Sequence, residues 1–244
     1  MEMIETKNKM KVEVWSDIMC PFCYIGKRNY DDAIQQFANS NEIEIIWKSF
    51  QLDPSRSGRE DVYEYLAERK GISREQAIMM QAQVTAMANE VGLEYHLDRT
   101  IMANTFKAHR LIQFAKEKGC GAIAEEALFS ANFTEGQDID DPIVLKGIAQ
   151  KIGFSFADVD EALTNQKYAD LVTKDIHEAK QVGVTGVPFF IFNREYVING
   201  ARPPEVFLDI LKKSFTEWKK DNPKSAFEIT TGASCDLNGK CEEN

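Results

Sequence analysis

The stretch KVEVWSD, residues 11–17, alternates Val12 and Val14 with Lys11 and Glu13, a period of two that predicts a β-strand. The period then changes. Tyr24, Ile25, Tyr30, Ile34 and Phe37 recur mostly at helical spacing until Asn39-Ser40-Asn41 interrupts them. IEIIWKSF, residues 43–50, is rich in β-branched and aromatic side chains and predicts a second strand. Strand, helix and strand of these lengths make a βαβ unit, its parallel pair joined by a right-handed crossover.

Beyond Leu52-Asp53-Pro54 the pattern differs. Ser55-Arg56-Ser57-Gly58 reads as a connector, and from 60 to about 165 no strand stands out. EDVYEYLAERKG predicts a short helix with a glycine stop, and Ser73 with Gln76 forms a capping box for a longer helix running towards Gly92. Asn104-Thr105 precedes another helix, ending at Lys118-Gly119, and Asn104 is its simplest cap. Asp141-Pro142 supplies an N-cap and an N1 proline before IVLKGIAQKIG. The α/β pattern then resumes. A helix from about 168 ends near Val182-Gly183; TGVPFFIF and NREYVING read as two strands joined at Asn193-Arg194-Glu195; ARPPEVFLDILKKSF forms a last helix. The expected organisation is an α/β frame in two parts, 11–55 and 166–218, an all-helical insertion over 56–165, and a tail over 219–244.

Composition narrows the partners. A chain of 244 residues, 43% of them hydrophobic, has ample material for a core, while a formal net charge of -10 weighs against nucleic acid. No run approaches the roughly 18 apolar residues of a membrane span, so no membrane partner is expected. The start, MEMIETKNKM, lacks the basic and apolar segments of a secretory signal, and the expected location is the cytoplasm.

There the five cysteines change the picture, because in a reducing compartment close pairs point to redox or metal chemistry before structural staples. They fall as Cys20 with Cys23, Cys235 with Cys241, and Cys120 alone. Cys20 sits just past the first strand, at the N-cap or first turn of the helix that follows, with Pro21 at N1. Unpaired backbone N–H groups and the helix dipole favour a thiolate at that end. Cys23, one turn deeper on the same face, is placed to resolve a mixed disulfide formed on Cys20. A four-cysteine zinc site shared with Cys235 and Cys241 is the competing reading. Its usual second half is another C-x-x-C, whereas Pro21 ahead of a long helix suits a redox turn, so no metal is expected.

A second signal lies far downstream. A proline opening a strand is ordinarily trans, but Gly186 ahead of Val187-Pro188 eases a tight turn, and the frame predicts this loop beside the cysteines. A cis bond there would offer the Val187 backbone to an incoming peptide. Pro21, Phe22 and Val187 are accordingly the expected substrate contacts.

In combination, SDIMCPFCYIG, the helical insertion and TGVP ahead of the returning strand resemble the DsbA-type thioredoxin-fold oxidoreductases, and NTFKAHRL, residues 104–111, is similar to their FrnE-like branch. The resemblance spans roughly residues 11–215. It implies a thioredoxin fold interrupted by a helical domain, with Cys20 as nucleophile, Cys23 as resolving thiol and Pro188 as the cis-proline. It also implies protein or peptide thiols and disulfides as substrates, no resident cofactor, and glutathione or a thioredoxin-type reductant as thiol partner, in a monomer or homodimer. Related kappa-class glutathione transferases and hydroxychromene-carboxylate isomerases share the frame and commonly carry serine at the nucleophile position, which leaves a glutathione-dependent transferase or isomerase as the alternative. Some FrnE-like proteins have an extra C-terminal pair, which makes Cys235 and Cys241 a candidate auxiliary couple, against the plainer reading of a frayed tail.

Four further residues or groups have plain expectations. Cys120 reads as a small buried hydrophobe, and His109 as a core histidine or one facing Cys20. Met79, Met80 and Met87 read as core filling rather than a peptide surface. Trp15 and Trp47 are expected in the core of the frame.

Overall fold

In the computed structural model the described residues are 9–223, together with the backbone of two short paired strands further on. Strand β1 (Met10–Ser16) leads into α1 (Pro21–Gln36) and β2 (Ile43–Ser49), with β1 and β2 parallel in the register Val14↔Trp47. The second half of the frame adds β5 (Phe189–Phe192), antiparallel to β1, and β6 (Tyr196–Asn199), giving the order β2-β1-β5-β6. The turn between β5 and β6 is made by Asn193 and Arg194, both at positive φ, closed by Glu195 N–H donating to the Phe192 carbonyl at 3.0 Å. Positive φ at both central residues is what a tight hairpin demands.

The sheet is covered on both faces. Val12, Val14, Phe190 and Phe192 pack against Tyr30 and Ala33 of α1 and Phe207, Leu211 and Phe215 of α9 (Pro204–Asp221). Trp15, Phe189 and Ile191 face the other way, against Ala179 of α8 (Gln166–Val182), and the Trp15 indole donates to the Asp175 carbonyl at 3.0 Å. Trp15 and Trp47 are both buried, as expected. Glu13, polar in the sequence alternation, is also buried, because Lys48 at 2.8 Å and Arg194 pair with it.

Between β2 and α8 lies the helical insertion. It runs through β3 (Glu60–Asp61), α2 (Val62–Lys70), α3 (Arg74–Glu90), β4 (Ile101–Met102), α4 (Phe106–Glu117), α5 (Gly121–Phe133), α6 (Pro142–Lys151) and α7 (Phe156–Thr164). The chain therefore has the α/β thioredoxin fold with a helical insertion. Gly71 stops α2 in the left-handed region, the Ser73–Gln76 capping box opens α3, and Asp141 caps α6 ahead of Pro142. Helices α5 and α7 were not anticipated, although Ser155 and Asp158 form a second capping box. The absence of strands over 60–165 also needs correction. Glu60–Asp61 and Ile101–Met102 pair antiparallel, each too short to leave a period in the sequence.

Two side-chain expectations change as well. Met79, Met80 and Met87 are exposed on α3 rather than buried, because the core face of that helix is carried by Ala77, Gln81, Val84 and Ala88. Cys120 is only half-buried, since it occupies the N-cap of α5 rather than its packed face. Among the described residues no helix is long and apolar enough to cross a membrane.

Candidate active site

The site forms where the first strand releases the chain into α1. Asp17, fully buried, holds that corner in three directions. Its carbonyl accepts from the Cys20 N–H at 2.9 Å, Oδ2 accepts from the Leu52 N–H at 2.7 Å, and Oδ1 meets His109 Nε2 at 3.2 Å. His109 is thus a buried, satisfied core histidine. It joins two stretches 92 positions apart in sequence. Asn104 braces the same junction: its Oδ1 caps the Phe106 N–H at 2.9 Å, and its Nδ2 donates to the Pro54 and Arg56 carbonyls at 3.3 and 3.0 Å.

Cys20 is the N-cap of α1 and Pro21 its first residue, so the Cys20 sulfur stands where the free N–H groups of the first turn gather. The Cys23 N–H closes that turn on the Cys20 carbonyl at 3.0 Å. Both thiols are free and both are buried, Cys20 at 4% exposure and Cys23 at 0%. Burial pushes the Cys23 thiol well above its ordinary value, with the neighbouring Cys20 adding to the rise and the Asp17 backbone and Ser16 hydroxyl opposing it. The two sulfurs are therefore unequal, the inner one holding its proton more strongly than a free cysteine.

Val187 and Pro188 approach from the frame. Their peptide bond is cis, and the Cys20 thiol donates to the Val187 carbonyl at 3.4 Å. The Pro188 carbonyl accepts from the Gly200 N–H at 2.8 Å, tying the loop to the end of β6. α1 comes so close that a Cβ placed on Gly26 would lie 2.9 Å from Pro188 Cγ. Only glycine allows this approach.

From the insertion side a cavity of about 440 Å³ opens at Cys20. Pro21 and Phe22 line it with Leu52, Val62, Tyr65, Met80, Val84, Met102 and Phe133, while Arg69 and Lys70 stand at its margin. One polar side chain reaches it from within. Gln81 is 6% exposed, and its Oε1 has no hydrogen-bond partner. Tyr95 donates to the Pro21 carbonyl at 2.7 Å, and burial raises its phenol above the ordinary range.

The structure thus gathers Cys20, Cys23, Pro21, Phe22, Val187 and Pro188 around one sulfur. Cys235 and Cys241 are register partners in the ladder of β7 (Ser234–Cys235) with β8 (Cys241–Glu242), but their side chains lie outside the described residues. Sequence reasoning missed Ser16 and Tyr95 at the site, and the buried Glu125 of α5. Glu125 had a signal: with Gly121, Ala124, Leu128 and Asn132 it falls on one helical face, the buried one.

Known proteins are similar to this chain in sequence and fold. A solved probable DsbA oxidoreductase from Streptomyces coelicolor is 33% identical with a TM-score of 0.81, over 96% of this chain and 99% of that one. The uncharacterized protein YwbO of Bacillus subtilis (strain 168) is 30% identical over 198 residues, 80% of this chain and 92% of YwbO. The cytosolic disulfide reductase DsbM of Pseudomonas aeruginosa, solved with GSH, shares the fold at 14% identity and a TM-score of 0.60, over 84% of this chain and 99% of DsbM. Residues 11–212, from the strand that leads into Cys20 to the helix that closes the frame, match the model of the DSBA-like thioredoxin domain, and the chain belongs to that family of thiol-disulfide oxidoreductases.

Proposed function

We propose that the protein exchanges disulfides with peptide or protein substrates through Cys20 and Cys23. The observation that carries this reading is the helix N-cap position of Cys20, with its sulfur against the Val187 carbonyl and Cys23 sealed one turn below. Cys20 attacks or is attacked, because it alone of the two has access to a partner. Cys23 then bonds to the Cys20 sulfur and releases the partner thiol. The loop at cis-Pro188 offers backbone groups to the substrate chain, and the apolar cavity receives a side chain near the attacked cysteine. No resident cofactor is needed. In a reducing cytoplasm the couple runs as a reductase or isomerase, with glutathione or a thioredoxin-type protein as the thiol supply and Cys235 with Cys241 as an auxiliary couple.

Insulin reduction and reactivation of scrambled ribonuclease test this directly. Cys20→Ser should abolish both activities, and Cys23→Ser should accumulate partners as mixed disulfides on Cys20. Activity that survives Cys20→Ser would sink the proposal. The cavity also supports a second reading, a glutathione-dependent transferase or isomerase acting on a small aromatic molecule; turnover of such a molecule with glutathione by Cys23→Ser would favour it.

A further inference from the structure

Helix α3 buries Ala77, Gln81, Val84 and Ala88, the i, i+4, i+7 and i+11 positions of one helical stripe. Three of the four are apolar. Gln81 is the exception: it is 6% exposed, and its Oε1 has no hydrogen-bond partner. Its backbone carbonyl is engaged, accepting from the Thr85 hydroxyl at 3.0 Å. A buried acceptor left unpaired destabilises the fold, and native chains keep few of them. The carboxamide therefore calls for a reason outside the packing of α3.

That reason lies in the cavity of about 440 Å³ that opens at Cys20, which Gln81 lines. The walls around it are carbon, from Leu52, Val62, Leu66, Val84, Leu97 and Phe133. The other polar groups of the wall are taken. The Tyr65 hydroxyl donates to Asp53 Oδ2 at 3.2 Å, Arg69 reaches Asp53 Oδ2 and the Leu52 carbonyl at 3.1 Å each, and the Cys20 thiol is turned to the Val187 carbonyl. Among the described residues, Gln81 Oε1 is the one buried polar atom of the lining without a partner. Such walls suit an occupant that is apolar except at one point. A lysine or a carboxylate would lose its hydration there, a serine would leave most of the volume unfilled, and a phenylalanine would leave the amide unpaired. A carboxamide offers an acceptor and donors in one plane, and a phenol hydroxyl answers either, whereas an indole N–H answers the acceptor alone.

We propose that Gln81 selects substrates with a tyrosine beside the reacting cysteine, the ring held in the cavity and its hydroxyl donating to Gln81 Oε1. The proposal rests on the reading of Cys20 as the cysteine that meets peptide substrates. Binding then pairs the acceptor that the protein itself leaves unpaired, so the ring is held more tightly with its hydroxyl than without it. Gln81 sets specificity and takes no part in the exchange between sulfurs. Its contribution therefore belongs to substrate binding rather than to the limiting rate.

Single turnovers of the reduced protein with disulfide-linked dimers of the peptide Gly-X-Cys-X-Gly, X being tyrosine, phenylalanine or glycine, read the preference whichever side of the cysteine enters the cavity. Cys20 attacks one peptide sulfur, the bond between the two peptide sulfurs breaks, and one peptide leaves as its thiolate. Cys23 then bonds to the Cys20 sulfur and releases the second peptide, so the protein dithiol gives two electrons to the peptide disulfide. The tyrosine peptide should half-saturate at a concentration about tenfold below that of the phenylalanine peptide, at a similar limiting rate, and the glycine peptide should bind most weakly. Gln81→Leu should abolish or reverse the tyrosine preference and tighten the phenylalanine peptide. It should also unfold at a higher urea concentration than the parent, because carbon replaces an unpaired amide. Tyrosine and phenylalanine peptides that half-saturate alike in the parent, a preference that survives Gln81→Leu, or a variant that unfolds at a lower urea concentration overturns the role of Gln81. A glycine peptide bound as tightly as the phenylalanine peptide overturns the use of the cavity by a side chain, and failure to reduce any of the three overturns the exchange reading itself, two separate failures.

Discussion

Helix α1 is held on two sides by different physics. Towards the frame it is fitted by shape: Gly26 lies against Pro188, Tyr30 against Phe190 with ring centroids 5.8 Å apart, and Asn29 Nδ2 donates to the Arg202 carbonyl at 2.8 Å. Towards the insertion it is held by charge and stacked rings. Tyr24 stacks on Phe129 at 4.9 Å and donates to Glu126 at 2.5 Å, while Lys27 reaches Glu126 at 3.0 Å. The frame therefore fixes where Cys20 stands relative to the peptide loop, and the insertion holds the outer face of the same helix through Glu126 and Phe129. Thioredoxin-like frame and helical insertion grip one helix in two ways, by close fit and by ion pairing.

The largest expected effect comes from removing the unpaired charge on the insertion side. Glu125 has a folded value of about 8 against an ordinary 4.5. Between those values the unfolded chain has lost a proton that the folded protein still holds. Stability should therefore fall as pH rises from about 4.5 to about 8, and the full deficit should persist above 8. Glu125→Gln removes this penalty. Urea unfolding should find variant and parent nearly equal near pH 4 and the variant more stable at pH 9 by on the order of 3 kcal/mol. Equal stability at pH 9 would mean that Glu125 is solvated or paired after all.

The frame side is broken by Gly26→Ala. The added methyl would meet the rigid ring of Pro188 at 2.9 Å and the Ala201 Cα and Cβ at 3.6 Å, so the loop must move. Overpacking of this kind costs about 1–3 kcal/mol, of which a better helix propensity returns up to about 1. The expected outcome is a net loss of about 1–2 kcal/mol and a larger proportional loss of mixed-disulfide formation at Cys20, because the displaced atoms carry the Val187 carbonyl. Unchanged mixed-disulfide formation at Cys20 would show that the loop position is not set by this contact.

The two sides were also unequally legible in the sequence. The frame was readable because its signals are local: a period of two in β1, a proline at N1 of α1, turn residues at Asn193-Arg194. Capping boxes and stops likewise exposed α2, α3 and α6, whose ends are written in neighbouring residues. The chemistry of the insertion side was not readable, because it depends on pairings such as Asp17 with His109 that no local spacing encodes. Helix α5 shows the limit most clearly. Glu125 and Glu126 are identical and adjacent in sequence, and only tertiary burial of the one and ion pairing of the other separate a group held near 8 from one held near 2.

Glu126 supplies the smallest and most discriminating test. Burial alone would raise its carboxyl, but hydrogen bonds from Arg28 and Tyr24 and the charge of Lys27 outweigh it and hold the group at about 2 against an ordinary 4.5. The stability it contributes is present above about 4.5 and lost as pH falls towards 2. The carboxylate is about a third exposed, so solvent screening leaves a contribution of about 1 kcal/mol. Glu126→Gln should be weaker than the parent by that amount at pH 7, and the two should converge near pH 2. The same variant removes a like charge from beside Glu125 and leaves Lys27 freer to act on it, and both changes favour ionised Glu125. The pH range over which stability falls because of Glu125 should therefore end below pH 8 in Glu126→Gln, and urea unfolding that finds the parental range would show that Glu126 exerts no field on Glu125.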